Sequence, residues 1–73
     1  MKLDEAKSLK VGDTVTLETQ WLKYKATVRI VPDFSKRALV GLTLVKVIRN
    51  NTTSFRRQPG AKTQADYRNL TKG

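Results

Sequence analysis

Residues 22–31 read LKYKATVRIV, and apolar and polar side chains alternate along this stretch. Strict alternation is typical of a β-strand that is buried on one side and exposed on the other. The apolar residues fall on one predicted face: Leu22, Tyr24, Ala26, Val28 and Ile30. The opposite face includes three cations and consists of Lys23, Lys25, Thr27, Arg29 and Val31. The stretch therefore predicts a strand with a core face and a cationic face, and Pro32 ends it because proline cannot donate to a strand ladder.

Two more strands are predicted, one before and one after this stretch. Residues 14–20, TVTLETQ, alternate in the same way, and the preceding residues 11–13, VGD, are typical of a turn. Residues 38–50, ALVGLTLVKVIRN, are almost continuously apolar, and their β-branched side chains favour a long third strand over a helix. Gly41 predicts a bulge or a sharp bend within this strand. Residues 31–38, VPDFSKRA, form the predicted hairpin loop between the second and third strands.

The two ends of the chain carry shorter patterns. Apolar residues between positions 3 and 9 repeat at helical spacing, which predicts one or two helical turns at the N-terminus. Residues 52–57, TTSFRR, predict a short fourth strand that ends at the Pro59-Gly60 break. Residues 64–70 predict one helical turn with Thr63 as its N-cap. The alternative is that residues 58–73 form a mobile basic tail.

The predicted elements are a helical turn followed by three to five short antiparallel strands, so the fold class is mainly β. This arrangement predicts a small barrel, closed or half-open. The run LKVGDTV, a long second strand, a loop and a bent third strand together resemble the layout of an SH3-like barrel over residues 9–57. This resemblance concerns architecture and implies no family. An OB-type barrel is the second choice because it usually needs more residues. The length of 73 residues predicts a single basic domain over residues 1–73.

Positive charge is concentrated in the second half of the chain. The formal net charge is +9, from 15 Lys and Arg against 6 Asp and Glu. Residues 1–33 hold six basic and five acidic groups, whereas residues 34–73 hold nine basic groups and only Asp66 as an acid. A nearly neutral first half and a cationic second half indicate a polyanionic partner.

Composition argues against several classes of function. The chain has no cysteine and no histidine, so we expect no disulfide, no metal site and no cofactor. The acids look like turn, cap and surface residues that do not converge on a reacting group, so we expect no enzyme. Lys46 shares the apolar face on strict alternation, and a bulge or a stem that reaches water explains it better than a buried nucleophile. Without an apolar run of about 20 residues or a signal peptide, we expect a cytoplasmic protein with no membrane partner.

Cations interleaved with aromatic residues predict a surface for nucleic acid. Residues two apart on a strand are about 6.6–6.8 Å apart, close to the phosphate spacing of an extended strand, so Lys23 and Lys25 could each meet a phosphate. The aromatic ring of Phe34 either fastens its loop to the core or projects as a wedge, whereas Trp21 and Tyr24 fit core or rim positions. The predicted nucleic-acid-binding residues are Lys23, Lys25, Arg29, Phe34, Lys36, Arg37, Arg49, Phe55, Arg56, Arg57, Lys62 and Arg68.

These patterns predict a nucleic-acid-binding protein of low sequence specificity. DNA is slightly favoured over RNA because arginines outnumber the freely placed aromatic residues. One alternative is a protein-interaction module, an adaptor or an inhibitor, that docks on an acidic protein surface. Another is a ribosome-associated protein whose basic tail is ordered only on rRNA.

Overall fold

The structure is a computed structural model that describes residues 1–73 and contains one short helix and five strands. The elements in chain order are α1 (Leu3–Lys7), β1 (Thr14–Glu18), β2 (Leu22–Ile30), β3 (Leu39–Asn50), β4 (Lys62–Asp66), a 3-10 turn (Tyr67–Asn69) and β5 (Leu70–Lys72). The strands form one antiparallel sheet in the order β4-β3-β2-β1-β5. The prediction of a mainly β fold with an N-terminal helical turn is confirmed.

The short connection between the two edge strands forces the sheet to curl. Neighbouring strands lie about 4.8 Å apart, so the edges of a flat five-stranded sheet would be about 19 Å apart. Only the 3-10 turn joins β4 to β5, and four steps of about 2 Å each span about 8 Å. The edges therefore approach each other, although no pairing between β4 and β5 closes the sheet.

The hydrophobic core lies on the side of the sheet that the curl encloses. Each strand contributes to it, and the largest fully buried side chain is that of Tyr24. Full burial of a Leu or Val side chain contributes about 1.5–3 kcal/mol, and most of the cluster consists of these two residue types. The core cluster consists of Leu9, Val15, Leu17, Tyr24, Ala26, Val28, Val40, Leu42, Leu44, Ala65 and Leu70.

Three register shifts interrupt the pairing of β2 with β3, and each leaves one residue without a partner. The extra residue is Arg29 on β2, and on β3 the extra residues are Val45 and Ile48. The irregularity predicted at Gly41 does occur there, but the unpaired residue belongs to the opposite strand. Ile30, which the alternation assigns to the core, is 52% exposed because the bulge at Arg29 displaces it.

The structure corrects the predictions for the last third of the chain. Residues 52–57 are not a strand, since Phe55 packs against the core instead of entering a strand pairing. The fourth strand is β4, which contains Thr63 as a buried strand residue and not as a helix cap. The predicted helical turn is shorter and begins later, as the 3-10 turn that Asp66 caps. Residues 62–72 thus belong to the sheet and its edge connection.

Local features of the first half follow the sequence closely. Gly12 has a φ of 98°, as the predicted turn before β1 requires. Loop residues 34–36 form a turn between β2 and β3. No helix in the structure combines the length and the apolar character that crossing a membrane requires.

Candidate nucleic-acid interface

The side of the sheet that faces away from the core is called the outer face here. Its side chains form cross-strand rows, because residues paired in an antiparallel ladder project to the same side. In the first row Lys23 lies between Glu18 of β1 and Arg49 of β3. The Glu18 carboxylate is 3.5 Å from the Lys23 ammonium and 4.0 Å from the Arg49 guanidinium. This row is therefore only partly cationic.

The second row brings two lysines together with no acid beside them. Lys25 pairs with Thr16 of β1 on one side and with Lys46 of β3 on the other. Both lysines are exposed, and neither forms an ion pair. Like charges directly opposite each other in a sheet are destabilising, so the arrangement works against the stability of the fold.

The third row carries hydroxyl groups and ends in a further cation. Thr27 pairs with Thr14 of β1 and with Thr43 of β3, and Thr43 pairs with Lys62 of β4. Hydroxyl and ammonium groups both donate to phosphate oxygens. The row thus extends the polar outer face from β1 to the edge of the sheet.

Arg29 lies across β3 because position 41 is a glycine. A Cβ added to Gly41 would be 3.4 Å from the Arg29 Nη2 and 2.9 Å from the Ile30 Cβ. The second distance is shorter than non-bonded carbon atoms tolerate, so a larger residue would push the bulged segment of β2 away from β3. The bulge and the glycine together place a guanidinium next to the third row.

Arg29 also borders a cavity of about 560 Å³ that the loop between β2 and β3 helps to enclose. Two predicted site residues of that loop, Lys36 and Arg37, line the same cavity. Its remaining wall includes apolar groups of Ile30 and Leu39 and one carboxylate, that of Asp33. The structure therefore gathers Arg29, Lys36 and Arg37 at one end of the outer face, as the sequence predicts for a joint surface.

Two predicted aromatic contacts are used inside the protein. Phe34 packs edge-on against Tyr67, with ring centroids 5.3 Å apart. Phe55 stacks on Tyr24, with centroids 5.4 Å apart and an angle of 13° between the rings. Each phenylalanine thereby fastens its loop to the core, and both rings are half-buried.

Arg68 is compensated by a neighbouring carboxylate. Its Nε and Nη2 donate to the two oxygens of Asp66 at 3.0 and 2.7 Å. The Arg68 side chain and then its backbone N–H lower the pKa of Asp66 to about 2, and the carboxylate in turn raises the pKa of Arg68. Arg68 therefore stabilises the turn before β5 and adds no free charge to the outer face.

The two arginines after Phe55 lie on the segment that covers the core. Arg56 is exposed and its Nε donates to the Thr53 carbonyl oxygen at 3.3 Å. The Arg57 guanidinium lies 5.7 Å from the centroid of the Phe55 ring, within the range of a cation–π contact. Only Arg57 approaches the edge of the outer face, where it shares a small cavity with Arg29 and Lys62.

Sequence reasoning missed two residues of this region. Lys46 belongs to the outer face: the bulge predicted to explain its charge is confirmed at Val45, but Lys46 was not included among the predicted binding residues. Trp21 is 58% exposed at the turn between β1 and β2, although a core or rim position was expected. Its place between two strands, outside the alternation of β2, was the signal for exposure.

No known protein family, curated protein or solved structure matches this chain. The charge and geometry of the outer face are therefore the basis for inferring what the protein binds.

Proposed function

We propose that the protein binds nucleic acid through the outer face with little sequence preference, as a binding protein and not as an enzyme. The observation that carries the proposal is the exposed pair Lys25 and Lys46, which lie directly opposite each other without a carboxylate. Such a pair costs free energy in the isolated protein, and a polyanion on the outer face would offset that cost.

The spacing of the cations fits a phosphate backbone. Lys23 and Lys25 are two residues apart on β2, about 6.6–6.8 Å, and Lys46 lies one strand away, about 4.8 Å. Lysine contacts phosphate as a point charge and reads no base edge, which accounts for low sequence preference. Duplex DNA stays the slightly favoured ligand, because Phe34 and Phe55 are engaged in internal packing.

We further propose that the curled sheet is a half-open barrel of the SH3-like type in the cytoplasm. The meander order of β1 to β4 and the return of β5 to β1 through a single 3-10 turn support this architecture. The ribosomal alternative required a tail that is ordered only on rRNA, whereas residues 62–72 are part of the sheet and its edge connection. That alternative is therefore less well supported than direct binding through the outer face.

Fluorescence anisotropy of a labelled 20-base-pair duplex, measured over a series of salt concentrations, tests the proposal. The strands of the outer face carry six cations against the one carboxylate of Glu18, which corresponds to about five neutralised phosphates, so log K should fall with log salt at a slope of about −4.5. The six are Lys23, Lys25, Arg29, Lys46, Arg49 and Lys62. A flat salt response would remove the proposal. Recovery of an acidic protein from nuclease-treated lysate, together with such a flat response, would favour the protein-interaction alternative.

A further inference from the structure

A small cavity at the edge of the sheet is lined almost entirely by cationic and polar groups. It has a volume of about 190 Å³ and lies where β4 meets the segment that follows Phe55. Its lining contains three cations and no carboxylate, and consists of Arg29, Arg57, Lys62, Thr63 and Gln64. We call this cavity the edge pocket.

Arg29 is held in the edge pocket with an unsatisfied donor. Its Nε is buried and has no hydrogen-bond partner, while its Nη2 lies over Gly41. A buried donor without an acceptor costs free energy, and the cost is larger for a charged group. The protein thus keeps a guanidinium partly desolvated beside two other cations.

Arg57 is placed at the edge pocket by the packing beneath it. Its guanidinium lies over Phe55, and Phe55 in turn stacks on the buried ring of Tyr24. Burial raises the pKa of Tyr24, and the nearby Thr63 hydroxyl and Arg57 charge act in the opposite direction, so all three groups are close together. The cation is therefore positioned before any ligand arrives.

From these observations we propose that the edge pocket binds one phosphate group. A tetrahedral oxyanion would accept hydrogen bonds from two guanidinium groups and one ammonium, and it would neutralise three gathered charges. The volume suits a phosphate with water, and it is below the range of about 300–1,000 Å³ that larger ligands occupy. Because Arg29 and Lys62 also border the outer face, the phosphate belongs to a nucleic-acid strand on that face, which is the part of this inference that rests on the proposed function.

An NMR titration with sodium phosphate, against sodium chloride at matched ionic strength, tests the pocket without nucleic acid. The Arg29 Nε–H signal and the amides of β4 should shift saturably with phosphate only. Arg57→Gln should weaken phosphate binding about tenfold, because two charge-assisted hydrogen bonds are lost. Lys10→Gln makes the same change in net charge at an exposed residue that does not line the pocket, and it should leave phosphate affinity within about twofold because a screened surface charge acts weakly at a distance.

Arg57 is exposed, so this variant is expected to fold, and Arg29→Gln provides a second variant that acts on the buried donor itself. Shifts that do not saturate, or equal weakening in Arg57→Gln and Lys10→Gln, would overturn the inference.

The same variants, titrated with oligonucleotides, identify the source of the phosphate. If Arg57→Gln weakens the binding of both free phosphate and the oligonucleotide, the pocket binds a phosphate of the nucleic-acid strand. If Arg57→Gln weakens the binding of free phosphate alone, the pocket binds a small phosphate ligand, and the proposed phosphate site stands without a nucleic-acid strand. If wild-type protein binds phosphate saturably but no oligonucleotide, the proposed function fails and the edge pocket survives.

Discussion

Replacing Lys25 and Lys46 by threonine should weaken nucleic-acid binding without weakening the fold. The two lysines oppose each other across β2 and β3, and no acid neutralises them. Threonine suits an exposed strand position, and it matches Thr16 in the same row. Removing one charge of the pair relieves repulsion, so each single variant should be as stable as the wild type or more stable by about 0.2–0.5 kcal/mol.

The size of the binding effect follows from the number of charges on the outer face. Each neutralised phosphate contributes about −0.9 to the slope of log K against log salt for duplex DNA. The slope should therefore change from about −4.5 in the wild type to about −3.6 in each single variant and about −2.7 in the double variant. Between about 50 and 200 mM salt, affinity should fall roughly 500-fold in the wild type and roughly 40-fold in the double variant.

Anisotropy with two duplexes of unrelated sequence measures these slopes, and urea denaturation of the same samples measures stability. Lys10→Thr is the matched control, because Lys10 is exposed before β1 and its loss makes the same change in net charge. The reasoning is refuted if Lys10→Thr changes the slope as much as Lys46→Thr does, since net charge alone would then explain binding. It is equally refuted if the double variant keeps the wild-type slope.

Three further predictions test the neighbouring parts of the structure. Glu18→Gln should release the two cations of the first row and steepen the salt slope by up to about 0.9, measured by the same anisotropy series. Leu70→Ala should lower the free energy of unfolding by about 2–5 kcal/mol, because Leu70 is fully buried; urea denaturation would show a much smaller loss if residues 58–73 were a loose tail. Asp66 has a pKa of about 2 in the folded protein, below its ordinary value of 3.8, so its stabilising effect is complete above about pH 4 and is lost as the pH falls towards 2. Thermal melts of Asp66→Asn and wild type should therefore differ at about pH 5 and converge near pH 2, and a difference that is constant with pH would contradict this assignment.

Local patterns were sufficient to predict the first half of the fold. The alternation of β2 gave the correct burial of Tyr24, Ala26 and Val28, and Gly12 gave the correct turn. The last third of the chain could not be read in this way, because its strands depend on distant partners. β5 is only three residues long and exists because β1 offers a free edge, so no pattern within 70–72 could reveal it. Residues 52–57 have suitable strand formers, yet the stacking of Phe55 on Tyr24 holds them in an irregular path.

The position of a candidate side chain was directly predictable where strands alternate regularly, whereas at a bulge it could be inferred only from an out-of-place charge. Lys23 and Lys25 lie on a regular part of β2, and the sequence placed both on the outer face. Lys46 follows an unpaired residue of β3, and each unpaired residue reverses the side to which the next ones project.

The exposed residues Val45 and Ile48 explain what the bulges of β3 accomplish. They are 50% and 47% exposed, but strict alternation already places Val45 on the outer side, so only Ile48 changes from the core side to solvent. In return Val47 turns inward in the place of Lys46 and packs against the core. The same shift keeps Lys46 out of the core and opposite Lys25, whereas strict alternation would bury its charge. A cationic outer face and a small apolar core can therefore share one long strand only because the register shifts, and the charge pair on which we base the proposed function is a direct product of those shifts.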